Sequence, residues 1–388
     1  MKVYFDNGAT TRVDDKVVKA MLPFFSDTYG NASSVHQVGQ EAKRALDESR
    51  ETIANKINAK FDEIIFTSGG TESDNLAIKG VAYANKAKGN HIITTKIEHP
   101  AVENSCKELE NDGFSVTYLD VDKEGFVDVG QLRRSITDKT ILVTIIHANN
   151  EIGTIQRIDE IGAICKEKNV LFHIDAVQSF TKVPIDVRKM NVDLVSLSGH
   201  KIHGPKGVGA LFIKKGTQIR KLADGGGHEF KLRAGTENVP GIVGFAKAVS
   251  LSSDSDIKKI AKLRDMLIEG IEKEIPNVKL NGPRGDERLC NNVSISFANV
   301  EGEGLGSYLD IEGICTSNGS ACASHSLEPS HVLLAMGLSK ELANGTLRMT
   351  LSRFSTKEEV EYTIKMLKKY VEKLRKISPL NRVLKNVL

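Results

Sequence analysis

Ser198-Gly199-His200-Lys201 follows a short apolar run, Leu194–Leu197, and closes on a lysine. Other apolar runs also end in polar residues. Ile92–Thr95 leads to Glu98-His99-Pro100, Ile141–Ile146 to His147-Ala148-Asn149-Asn150-Glu151, and Val170–Ile174 to Asp175 and then Gln178. Ile64–Thr67 runs into Ser68-Gly69-Gly70-Thr71-Glu72 and a helical pattern. A glycine-rich turn feeding a helix N-terminus turns free backbone N–H groups and the helix dipole toward an anion, which makes a phosphate cradle. Taken singly, each segment has an ordinary reading: a tight turn, a helix-capping Asp, a packed histidine ring, a solvated lysine. A nucleotide P-loop does not fit, because Gly199 and Gly204 have its spacing but Pro205 stands where its lysine belongs.

The strands that must position these groups are legible. Seven β-rich runs, Ile64–Thr67, Ile92–Thr95, Val116–Leu119, Ile141–Ile146, Val170–Ile174, Leu194–Leu197 and Val208–Ile213, alternate with helix-length segments such as Ile158–Lys168. Several are continuously apolar, as in strands buried on both faces, so an α/β domain with a mostly parallel sheet is expected. Ligands of such sheets bind outside the carboxyl ends of the strands, where His, Asn, Asp and Lys would then converge. A lysine to carry the cofactor, a carboxylate for a pyridine nitrogen and a phosphate site are what pyridoxal phosphate requires. On this reading Lys201 carries it, Asp175 keeps the ring nitrogen protonated, Gln178 meets the ring hydroxyl and His99 stacks on the ring. Thr71, Ser198 and His200 take the phosphate.

The polar stretch Ser252–Asp256 ends the alternation. A helix over about 256–274, short strands near 277–280, 293–297 and 346–351, and a Gly/Ser-rich loop suggest a smaller α+β unit. Ser355-Thr356-Lys357-Glu358 reads as a capping box. It opens a helix with Val360, Ile364, Leu367, Val371 and Leu374 on one stripe. The formal charge of +3 gives no reason to expect a nucleic-acid partner, with the lysines around 365–376 as the best candidate for a local basic patch. No apolar stretch of ~18 residues exists for a membrane span and none serves as a leader. Five scattered cysteines argue against a disulfide framework and for a reduced, cytoplasmic setting.

Along nearly its whole length the chain resembles the cysteine desulfurases, class V aminotransferase-like enzymes of fold-type I. The resemblance is carried by Tyr4-Phe5-Asp6-Asn7-Gly8-Ala9-Thr10-Thr11, Gly30-Asn31-Ala32-Ser33-Ser34-Val35-His36, Phe66-Thr67-Ser68-Gly69-Gly70-Thr71-Glu72-Ser73 and Ala148-Asn149-Asn150-Glu151-Ile152-Gly153. It continues in His173-Ile174-Asp175-Ala176-Val177-Gln178, Ser198 through Gly207, Asn318-Gly319-Ser320-Ala321-Cys322 and Leu351-Ser352-Arg353-Phe354. It implies conversion of L-cysteine to L-alanine, with the sulfur passing to a protein cysteine as a persulfide. Lys201, Asp175, Gln178, His99, Gly70, Thr71, Asn150, Ser198, Gly199 and His200 would surround the cofactor. Arg353 would hold the substrate carboxylate with Asn150 assisting, and Thr236 would reach the phosphate of a second subunit in a homodimer. Cys322, on a small, polar loop, would be the persulfide carrier and a candidate transient ligand of an iron–sulfur cluster. The acceptor would be an iron–sulfur scaffold or another protein, including one serving tRNA thiolation. The expected division is a large domain over 13–255 and a small one over 1–12 and 256–388.

Three departures stand out. Phe230-Lys231 replaces the family's Arg-Gly, Gly70 stands where Ala is frequent, and the tail from Asn381 to Leu388 differs from the usual scaffold-docking end. An aminotransferase or selenocysteine lyase with Cys322 incidental remains open from the residues alone, as does a non-catalytic scaffold of the same fold. Lys201, Asp175 and His99 together argue against the scaffold, and the Ser320-Ala321-Cys322 loop against the other enzymes.

Overall fold

The computed structural model describes residues 1–318 and 329–377. Its strands are β1 (Val3–Tyr4), β2 (Ile64–Thr67), β3 (His91–Thr95), β4 (Ser115–Leu119), β5 (Thr140–Ile146), β6 (Leu171–Asp175), β7 (Leu194–Ser198), β8 (Gly209–Ile213), β9 (Val278–Leu280), β10 (Asn292–Phe297), β11 (Ile314–Cys315) and β12 (Thr346–Thr350). Seven of them form one sheet in the order β2-β8-β7-β6-β5-β3-β4. All neighbours are parallel except at β8, which is antiparallel to both β7 and β2. The apolar runs are therefore the sheet's centre: every residue of β2, β3, β5, β7 and β8 is buried. Helices cover both faces, as a parallel sheet demands.

A second core gathers around the antiparallel sheet β12-β10-β9. The chain's start belongs to it. β1 pairs in parallel with β11, and Val3 and Phe5 are fully buried against Ile295, Phe297 and Met349. The helices Asp254–Glu274 and Lys357–Ile377 pack on each other over this sheet. Ser253 caps the first through the Asp256 N–H. The capping box of the second lies one residue later than its sequence suggested. Thr356 Oγ1 accepts from the Glu359 N–H and Glu359 Oε2 from the Thr356 N–H, so Thr356 rather than Ser355 is the cap. Val360, Leu367 and Val371 are buried on the expected stripe, with Ile364 and Leu374 partly so. Its basic side is partly neutralised, Lys368 pairing with Glu274 and Lys369 with Glu312.

No described helix is long and apolar enough to cross a membrane. The 20-residue helix Gln37–Lys56, which the sequence reading did not resolve, packs on the helix Val239–Ser250 at the edge of the main core.

Candidate active site

Because only β8 is reversed, the carboxyl ends of β2, β3, β5, β6 and β7 share one edge of the sheet. A cavity of about 260 Å³ opens there, lined by Gly70 and Thr71 after β2, His99 after β3, Ile146 at the end of β5 with Asn150 beyond it, and Asp175 at the end of β6 with Gln178 beyond it. Ser198 at the end of β7, His200 and Lys201 beyond it, and Asp74 and Val177 also line that side. The second core contributes Gly8, Ala9 and Arg348.

Local structure aims each group. Lys201 ends a single 3-10 turn after β7, and its Nζ donates to the carbonyls of Gly8 at 2.6 Å and Ala9 at 2.7 Å. Asp175 is the last residue of β6, and its Oδ1 accepts from the Val177 N–H at 2.9 Å. Gln178 is held by Gly8 O at 2.9 Å. His99 caps the helix Pro100–Asn111. Its Nδ1 accepts the Ala101 N–H, so the neutral ring carries its proton on Nε2. Burial pushes His99 down to about 4, which keeps it neutral at physiological pH.

At the phosphate end Gly69 opens the helix Gly70–Asn85 at φ +153°. A Cβ on Gly70 would come within 2.6 Å of Val177 Cγ2, so glycine is the residue that fits here without displacing that side chain. His200 Nδ1 lies 3.1 Å from Thr10 Oγ1, and Ser198 Oγ is buried with no partner among the described residues. Gly199 lies close behind, but its N–H is taken by Val208 O and is not offered to a ligand.

The two arginines of the strand-end segment separate. Arg353, expected at the substrate carboxylate, lies outside this cavity. It pairs with Asp14 at 2.6 Å, donates to Leu251 O, and lines a smaller space behind Lys201 with Lys182, Cys290 and Asn291. The cavity instead receives Arg348, from the middle of β12. Its side chain is 2% exposed; Nη2 meets Asp6 at 3.2 Å, Nη1 meets Asn150 O, and Nε is buried without a partner among the described residues. An arginine inside a buried strand signals this role, since a buried cation needs an anion. Asp74 was also not anticipated. It sits on the apolar face of Gly70–Asn85 with Ala77, Ile78 and Val81, and one ligand atom from each of Asp74, His99 and Asp175 lies within 4.8 Å of the others. Thr236 is exposed and does not line the cavity of its own chain. Cys322 lies outside the described residues.

These residues fit pyridoxal phosphate. The unpartnered Ser198 hydroxyl, the Gly69–Gly70 helix start and His200 suit its phosphate, the Asp175 carboxylate its ring nitrogen, and Lys201 its aldehyde carbon. Fold and site together define a pyridoxal-phosphate enzyme of fold-type I.

Comparison with known proteins narrows the class. Residues 3–363 match the Aminotransferase class-V family model. Cysteine desulfurase IscS of Clostridium botulinum is 53% identical over 98% of this chain and 96% of its own length. Cysteine desulfurase IscS of Methanosarcina thermophila is also 53% identical, over 97% and 94%. A solved NifS-like protein superposes with a TM-score of 0.90 at 41% identity, covering 96% of this chain and all of its own. The apo cysteine desulfurase of Thermococcus onnurineus does so at 0.85 and 28%, covering 96% and 95%. The chain belongs to the class V aminotransferase family and, within it, to the cysteine desulfurases.

Proposed function

We propose that this enzyme takes sulfur from L-cysteine, releases L-alanine, and passes the sulfur on as a persulfide of Cys322. The observation that carries the reading is the meeting of Lys201, Asp175 and His99 with Arg348 in one cavity. An amino acid held there has its carboxylate clamped at one end and its amine beside the lysine at the other. Pyridoxal phosphate, when bound, supplies an electron sink for charge that develops at the substrate's α-carbon.

The protein's own groups do the rest. Arg348 offers the unpartnered Nε and a charge only partly answered by Asp6, and the Asn150 side chain assists it at the carboxylate. Lys201 moves the α-proton. His99, neutral and with its proton on Nε2, holds or moves the proton of the substrate thiol. Cys322 attacks the substrate sulfur as a thiolate. The S–S bond forms as the C–S bond breaks, and a proton delivered to the β-carbon completes alanine. A second thiol, from an acceptor protein or a reductant, then takes the sulfur. The acceptor is an iron–sulfur scaffold or another sulfur-carrying protein of the cytoplasm, tRNA thiolation being the other destination, and an iron–sulfur cluster is a transient guest of Cys322. Two copies of the chain work as a homodimer. The exposed apolar side chains Leu22, Phe25, Tyr29 and Val35 support an interface, across which Thr236 reaches the partner's phosphate site.

The test supplies L-cysteine with a thiol reductant and follows sulfide and alanine together. Wild type should release both, and Cys322→Ala neither at an appreciable rate. Equal sulfide from the variant would sink the persulfide route.

A further inference from the structure

Beneath the cavity lies a second carboxylate that the reaction as described does not use. Asp74 projects from the helix Gly70–Asn85 toward β6 and β7, is 1% exposed, and lines the cavity floor beside Asp175. Among the described residues its Oδ1 is buried without a hydrogen-bond partner, and His173 Nε2 lies 3.8 Å from it. That ring is already engaged: Nδ1 lies 2.8 Å from Thr144 Oγ1 and Nε2 3.0 Å from Ser196 Oγ. Asp175 is better placed to carry charge, because it accepts the Val177 N–H and faces Lys201.

Two buried carboxyls this close do not both ionise. Among the surrounding titratable groups, Lys201 faces Asp175 and favours its charge, while the others give Asp74 no relief. His173 and His99 are held neutral by burial, Glu98 is itself buried and pushed up to about 8, and Arg348 faces Asp6 at 3.2 Å rather than Asp74. Burial and the neighbouring Asp175 hold the Asp74 carboxyl well above the usual carboxylate range, outweighing a hydrogen bond from Ser196 that works the other way.

We propose that Asp74 is a positioning residue that stays an uncharged acid beneath the cofactor ring, leaving Asp175 the single anion for the pyridine nitrogen. This rests on the pyridoxal-phosphate reading of the cavity. The floor then carries one negative charge to match one ring cation. An ionised Asp74 would add a second and overhold the protonated ring.

The experiment combines infrared spectroscopy of ¹³C-aspartate-labelled protein with pH titration of the cofactor's absorbance, for wild type and Asp74→Asn. Asn is the isosteric mimic of the neutral acid. The proposal expects a protonated-carboxyl C=O band at neutral pH in wild type, with and without cofactor, that Asp74→Asn lacks. It also expects the absorbance midpoint of the variant to match wild type. A missing band overturns it. So does a midpoint that falls by about 2 pH units, the size expected for removing a unit charge roughly 5 Å away. Should the variant fail to fold, the band of cofactor-loaded wild type decides, because Asp175 is then paired with the ring. Absence of any cofactor absorbance in wild type would refute the cofactor reading instead, a failure visible apart from the infrared result.

Discussion

Replacing Arg348 and Arg353 in turn decides which arginine holds the substrate. Arg348 lies at 2% exposure with one unpartnered N–H, so a bound carboxylate would make a desolvated, charge-assisted pair. Truncating one partner of such a pair costs roughly 2–5 kcal/mol. Asp6 already answers part of the charge, which places Arg348→Ala near the low end. At about 2–3 kcal/mol, kcat/KM for L-cysteine falls ~30- to ~150-fold. Arg348→Lys keeps the charge but loses the fork and should fall less. The Ala variant also strands Asp6, so its melting temperature drops. Adding Asp6→Asn should recover stability without recovering kcat/KM, which separates folding from binding. Arg353→Ala removes the pair with Asp14, whose side chains are 12% and 14% exposed, and should cost about 1–3 kcal/mol of stability with kcat/KM within ~3-fold of wild type. The assay is the initial rate of sulfide release across L-cysteine concentrations, with thermal melts alongside. A ~30-fold loss in Arg353→Ala with a near-normal Arg348→Ala would refute the assignment.

Lys201→Ala should bind no cofactor covalently, seen as loss of its yellow absorbance, and lose at least ~10²-fold in turnover as a proton-transfer group disappears. Glu98 is buried with a carboxyl raised to about 8, so its contribution to stability is full below about pH 4.5 and is lost as pH rises through 8. Glu98→Gln should therefore melt progressively higher than wild type between pH 6 and 9, and an unchanged difference would contradict the buried neutral acid. His147 and His173 are buried and lowered to about 4 and 3. The unfolded chain binds more protons than the folded one below pH ~6.5, so stability falls on acidification from there toward pH 4. His173→Gln should flatten that acid limb in melts at graded pH. Lys231 holds φ +69° in a run of three left-handed residues with Glu229 and Phe230. Lys231→Gly should raise the melting temperature by relieving about 1 kcal/mol of backbone strain, and a lower one would argue against strain there.

Most of the sheet could be read from apolar runs, because strands buried on both faces leave no alternation to confuse with a helix. The reversed β8 was also written in the chain. Only residues 199–208 link β7 to β8, too short for the crossover that a parallel neighbour needs. His99, Asp175, Ser198 and Lys201 were recognisable because each stands at a strand end, where side chains meet over the sheet. The arginines were not, because Arg348 and Arg353 fall within one short segment. Which of them points at the cavity is set by the register of β12 against β10, where Arg348 lies opposite Ser294. Asp74 was hidden for a related reason. On a helix its face is defined only by what packs there, and a carboxylate within an apolar stripe looks like an interruption until a second carboxylate is found beside it.

The segment carrying Cys322 is tied at both ends to the walls of the cavity. Ser317 exchanges backbone hydrogen bonds with Arg348, while Ser330 bonds Glu151 and His331 reaches the carbonyl of Glu98. Four peptide units separate Asn318 from Cys322, and a chain spans at most ~3.6 Å per residue. The two Cα atoms therefore never stand more than ~14 Å apart, whatever the segment does. On the proposed role of Cys322, sulfur delivery would have a bounded reach measured from Asn318, next to the residue that pairs with Arg348. An acceptor must bring its thiol into that sphere, and lengthening the tether before Cys322 would enlarge the set of acceptors it can serve while diluting the cysteine at the substrate.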